Sequence, residues 1–98
     1  MKLEELYTII RKRIKKLPED SYVASLVKQG EDRIIQKVGE EAVEVVVAAK
    51  GKSKKRIIEE MADLYFMTLV LLAAKGIELT DVFGELEKRC NQKIRNSS

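Results

Sequence analysis

Apolar positions recur every three or four residues along most of this chain, the rhythm of helices that each bury one face. Leu3, Leu6, Tyr7, Ile10 and Ile14 form one such stripe over residues 3–16, and Pro18 ends it. Asp20 or Ser21 can cap a short second helix carrying Tyr22, Leu26 and Val27, which stops at Gly30. A third segment spans Glu31 to Lys50. Its β-branched tail, Val43 to Val47, would suit a strand, but Ile34, Ile35, Val38, Ala42, Val45, Val46 and Ala49 keep the helical spacing throughout. Gly39 within it is either tolerated or marks the close approach of a helix or ligand. Ser53 is placed to cap a fourth helix from Lys54 to Lys75. The second half of that helix is apolar on nearly every side, which puts it at the centre of the fold or at a subunit interface. Thr80 and Asp81 open a fifth helix through Val82, Phe83 and Leu86 toward Ile94. Gly51 and Gly76 read as helix stops. The expected fold is all-α, five helices, with the third and fourth packed antiparallel.

The 98 residues suit one domain, residues 1–98, with a frayed tail at about 95–98. A chain this short covers its apolar surface poorly alone. With the fourth helix apolar on so many sides, a homodimer or dimer of dimers is expected. Apolar residues make up 45% and charged residues 36%, which excludes disorder. The net charge is only +3, and the two signs are interleaved. That suits an anionic small molecule better than nucleic acid, which calls for a one-sided excess of Lys and Arg. The longest apolar stretch, Leu64 to Ala74, is too short to span a bilayer, and the charged N-terminus lacks a secretory core. A soluble cytoplasmic protein without membrane or nucleic-acid partners is expected.

The absence of histidine removes imidazole bases, His zinc sites and Ser-His or Cys-His nucleophile pairs. Cys90, the single cysteine, cannot form an intrachain disulfide and reads as a packing residue. Met61, Tyr65, Phe66 and Met67 read as core. Chemistry must therefore come from Asp, Glu, Lys or Tyr. The carboxylates are arranged for it. Glu41 and Glu44 in the third segment, and Glu60 and Asp63 in the fourth, are each three apart, about 60° around a helix. Either pair alone is what a solvated helix face offers. Both pairs, embedded in apolar sequence and joined by a short basic turn, point instead to a hard divalent cation such as Mg²⁺. Such an ion neutralises clustered carboxylates and keeps positions open for phosphate oxygens.

The run QKVGEEAVE, Gln36 to Glu44, resembles the signature of the phosphoribosyl-ATP pyrophosphohydrolase family. EEMADLYFMTLVLLAAKGI, Glu59 to Ile77, and LTDVFGELEKR, Leu79 to Arg89, resemble its later blocks, so that the resemblance covers about residues 3–90. That family is similar to the wider MazG-like all-α nucleotide pyrophosphohydrolases, whose ExxE…ExxD pattern falls here on Glu41, Glu44, Glu60 and Asp63. The resemblance implies a MazG-like bundle completed by dimerisation. It also implies Mg²⁺ held by those four carboxylates, and hydrolysis of phosphoribosyl-ATP to phosphoribosyl-AMP and pyrophosphate, the second step of histidine biosynthesis. Two departures stand out. Phe66-Met67 replaces a frequent Tyr-His, and the zinc ligands of the cyclohydrolase often fused to such chains are missing from these residues.

On this reading Glu41 and Glu44 are catalytic carboxylates as well as metal ligands. Glu40, about 100° from Glu41 but four residues from Glu44, is assigned an orienting role toward the attacking water. Its alternatives are solvent or a pairing with Lys37. Lys37 contacts a phosphate or forms an i,i+4 pair with Glu41. Arg33 and Tyr22 are assigned to nucleotide binding. Lys50, Lys52, Lys54, Lys55 and Arg56 either steer the anionic substrate or form a solvated turn. Two rivals remain: a MazG-like enzyme acting on other nucleoside triphosphates, and a non-catalytic helical regulatory dimer whose acids are simply solvated.

Overall fold

The computed structural model describes the backbone of residues 1–97 and the side chains of residues 1–92. Its five helices are α1 (Leu3–Lys16), α2 (Tyr22–Gln29), α3 (Glu31–Lys50), α4 (Lys54–Ala74) and α5 (Leu79–Ser97). No strand occurs among the described residues, and the β-branched run Val43 to Val47 lies within α3. The fraying expected at 95–98 concerns side chains, and for Ser98 the backbone, outside the described residues.

Local chemistry fixes most helix ends. The Ser21 hydroxyl accepts the Ala24 N–H at 3.2 Å, and the Ser53 hydroxyl accepts the Arg56 N–H at 3.2 Å. Both serines thereby satisfy a backbone donor left over in the first helical turn. Leu17, just before Pro18, ends α1 in the left-handed region (φ 49°), its N–H donating to the Arg13 carbonyl. Gly30 joins α2 to α3 at φ 107°, a conformation open only to glycine. α4 closes with a paired bond: Gly76 N–H donates to Ala73 O and Ile77 N–H to Leu72 O. This Schellman arrangement uses Gly76 at φ 69°. Gly51, by contrast, ends α3 with extended backbone.

The spine is the antiparallel α3–α4 hairpin, closed at its far end by the Lys75–Glu31 ion pair. α1 and α2 pack on it, and the core is built from Ile10, Leu26, Ile34, Met67, Leu69 and Val70. The Tyr7 hydroxyl donates to the Ile77 carbonyl, while Arg11 sits over the Tyr7 ring and pairs with Glu78 at 2.8 Å. These contacts pin α1 to the α4–α5 turn. α5 buries Leu79 and half-buries Val82 and Phe83, after which its described side chains are exposed.

Three packing expectations need correction. Tyr65 is not core: it is 56% exposed and lines an open groove between α4 and α5. Cys90 is not a packing residue but is exposed, because α5 has left the body of the protein by that point. Ile35, Val46 and Ala49 keep the helical rhythm of α3 yet are exposed, since the chain covers only one side of that helix. Met67, Met61 and Phe66 are buried or half-buried as expected. Among the described residues no helix is long and apolar enough to cross a membrane.

Candidate metal and substrate site

The antiparallel hairpin sets Glu41 and Glu44 of α3 beside Glu60 and Asp63 in the second and third turns of α4. One oxygen each of Glu41, Glu60 and Asp63 falls within a sphere where all three lie within 4.8 Å of one another. Glu41 and Glu60 are half-buried and Asp63 is exposed, so the cluster opens to solvent on one side. Glu44 stands outside that trio. Its carboxylate is half exposed and lies 3.8 Å from the Arg56 guanidinium. The same guanidinium nitrogen is 3.8 Å from Glu60.

Electrostatics report the crowding. Glu60 is held above the usual carboxylate range, first by burial and then by the charges of Glu44, Asp63 and Glu41. Arg56 opposes this but does not cancel it. Glu60 is thus close enough to sense all three other candidate ligands, Glu44 included.

The remaining candidates lie around this cluster in their own pairings. Lys37 is 3.5 Å from Glu41, the i,i+4 pair that its spacing allows. Arg33 donates to Glu40 at 3.2 Å, two turns along α3, so Glu40 is partnered by Arg33 and not by Lys37. Tyr22, at the start of α2 and 53% exposed, stacks on Phe66 with ring centroids 6.3 Å apart. Phe66 is three residues beyond Asp63 on α4, which brings this aromatic pair toward the Asp63 side of the cluster. Glu59 is exposed. A Cβ on Gly39 would meet nothing within 4 Å, so among the described residues no element approaches it closely.

Arg56 belongs to the basic turn, yet it sits at the carboxylate cluster itself. Its i,i+4 relation to Glu60 is legible in the sequence. Its reach to Glu44 depends on how the hairpin closes, which no local pattern reports.

The donor set suits Mg²⁺, which takes oxygen ligands at about 2.0–2.1 Å, so opposite ligands stand roughly 4.2 Å apart. Neighbouring ligands stand roughly 3 Å apart, and the three clustered oxygens already lie within 4.8 Å of one another. The raised Glu60 carboxyl marks negative potential still to be neutralised.

Comparison with known proteins shows which family the sequence resembles. A family model described as phosphoribosyl-ATP pyrophosphohydrolase matches residues 3–90. The chain is 53% identical over 89 residues to a phosphoribosyl-ATP pyrophosphatase of Leptospira biflexa, covering 91% of this chain and 94% of that one. It is 52% identical over 87 residues to the protein of that name from Metallosphaera sedula, with 89% and 94% covered. The Saccharolobus solfataricus protein of the same name is 46% identical over 87 residues, with 89% and 93% covered.

Proposed function

The chain belongs to the phosphoribosyl-ATP pyrophosphohydrolase family, and on that premise we propose that it hydrolyses phosphoribosyl-ATP to phosphoribosyl-AMP and pyrophosphate. We place it in the cytoplasm, at the second step of histidine biosynthesis, and assign it a requirement for Mg²⁺. The observation that carries this reading is the meeting of Glu41, Glu60 and Asp63 from two antiparallel helices around one point. Glu44 shares the Arg56 guanidinium nitrogen with Glu60, 3.8 Å from each, which supports its place as the fourth carboxylate.

In the reaction, water adds its oxygen to the α-phosphorus, the bridge to the β-phosphorus breaks, and pyrophosphate leaves with the bridging oxygen. A proton from the water is released. Bound Mg²⁺ supplies neutralisation of the polyphosphate charge and lowers the pKa of water in contact with it. Glu41, Glu44, Glu60 and Asp63 would hold the ion. Glu40, which pairs with Arg33 before substrate arrives, orients the attacking water. Lys37 and Arg33 exchange their present carboxylate partners for substrate phosphates. Tyr22, with Phe66 beneath it, offers a flat surface for the purine.

We also assign a homodimer, or a dimer of dimers. In support, a groove of about 480 Å³ between α4 and α5 is walled by Leu3, Tyr65, Leu72, Phe83 and Leu86. On the outer face of the hairpin, Val43, Val46, Val47 and Ile58 are each more than half exposed.

Substrate choice tests the reading. The carboxylates recognise only a polyphosphate, which every nucleoside triphosphate carries. Phosphoribosyl-ATP has a further ribose phosphate on its adenine, so basic groups at a second point distinguish it. One charge-assisted hydrogen bond contributes about 1.5–3 kcal/mol, which corresponds to roughly 10- to 100-fold. We therefore expect kcat/KM for phosphoribosyl-ATP to exceed that for ATP by at least about 100-fold. Comparable efficiency on ATP would leave only a general nucleoside-triphosphate activity.

A further inference from the structure

We propose that Arg56 holds the cation's place in the ion-free enzyme, is displaced when the ion binds, and then lies against the substrate's phosphates. The inference rests on the assignment of Glu44 and Glu60 as ligands of a divalent cation.

Three observations carry it. First, one guanidinium nitrogen, Nη2, sits 3.8 Å from Glu44 on α3 and 3.8 Å from Glu60 on α4. A single positive group therefore links the two carboxylate blocks that an ion between the helices would link. Second, the attachment is loose. At 3.8 Å these are ion pairs and not hydrogen bonds, and the Arg56 side chain is 56% exposed. Third, the residue's backbone is fixed while its side chain is not. Its N–H is held by the Ser53 cap at 3.2 Å in the first turn of α4.

Charge and geometry then dictate an exchange. A divalent ion must contact its oxygens directly, at about 2.0–2.1 Å for Mg²⁺. It would draw Glu44 and Glu60 off the guanidinium and repel it. Arginine stays protonated throughout, so the displaced group keeps its charge and can pair with another anion. From an anchored Cα beside the site, it can reach the phosphates that the ion itself attracts. A guanidinium matches a phosphate with two parallel hydrogen bonds. Arg56 thus keeps α3 and α4 in register before the ion arrives and adds a phosphate contact afterwards.

The test uses the full-length chain with Arg56→Gln and Arg56→Lys. Mg²⁺ binding without nucleotide is followed by titration calorimetry, thermal unfolding is measured in EDTA and in saturating Mg²⁺, and KM is measured for phosphoribosyl-ATP. Arg56→Gln should bind Mg²⁺ at least threefold more tightly than wild type and melt lower in EDTA, with that deficit vanishing in Mg²⁺. Its KM should rise about tenfold. Arg56→Lys should bind Mg²⁺ close to wild type. Unchanged or weaker Mg²⁺ binding by Arg56→Gln, with wild type binding normally, would overturn the displacement and leave the metal assignment standing. An unchanged KM would overturn the phosphate contact. Failure of wild type itself to bind Mg²⁺ would overturn both the metal assignment and this proposal.

Discussion

At Glu60, burial and three neighbouring carboxylates all favour the protonated form, and Arg56 only partly offsets them. The sign of the consequence follows from linkage. A carboxyl whose pKa is raised on folding holds its proton more tightly in the native state. Its contribution to stability is therefore full below the ordinary Glu pKa and is lost as pH rises through the higher native value. Ionised Glu60 weakens the ion-free fold at neutral pH. Glu60→Gln should melt at or above the wild-type temperature in EDTA near pH 7, and the gap should close as the pH falls toward about 4. The same variant should lose its Mg²⁺ binding. A variant that melted well below wild type at neutral pH would show Glu60 to be held by attraction instead. The residue types at this site were readable in the sequence, because no histidine was present and two ExxE or ExxD pairs were. Their present partners were readable only where local. Lys37 and Glu41 pair as i,i+4 spacing allows, whereas Arg33 reaches Glu40 across two turns and Arg56 reaches Glu44 across the hairpin.

Among the helices, α3 and α4 matter most, since their register decides which carboxylates meet. Three residues, Gly51 to Ser53, connect them, and Ser53 alone caps α4 with its side chain. Ser53→Ala should destabilise the protein by about 1 kcal/mol in chemical denaturation. It should also loosen the first turn of α4, where Arg56 is anchored. A stability change near zero would mean that tertiary packing holds this turn without the cap. Helix limits were legible because serine caps, Pro18 and the glycines mark them in one dimension. The rhythm of α3 was legible too, but not which of its apolar positions are covered. Ile34 is buried, while its neighbour Ile35 and the outer valines Val43, Val46 and Val47 are exposed. A helical stripe says that a face wants cover. It does not say whether the same chain supplies it.

For the whole molecule, that uncovered surface is the main fact left by the single chain. Tyr65 and Leu86 are each 56% exposed along the α4–α5 groove. Exposed apolar patches of this kind mark association sites. If the groove is a subunit contact, as we propose, Leu86→Glu should place a charge in it and shift the particle toward the 11.2 kDa monomer in light scattering. Wild-type protein that stays a stable folded monomer at micromolar concentration would contradict the assignment.

We propose that the four carboxylates serve Mg²⁺-dependent cleavage of phosphoribosyl-ATP. Pyrophosphate release from phosphoribosyl-ATP, with Mg²⁺ and with EDTA, tests it most directly in wild type and in the Glu41→Ala, Glu44→Ala, Glu60→Ala and Asp63→Ala variants. Pyrophosphate and phosphoribosyl-AMP should form in equal amounts with Mg²⁺ and not at all in EDTA, and each folded variant should lose most activity. Release that survives chelation, or near-normal turnover by any of the four variants at saturating Mg²⁺, would contradict it.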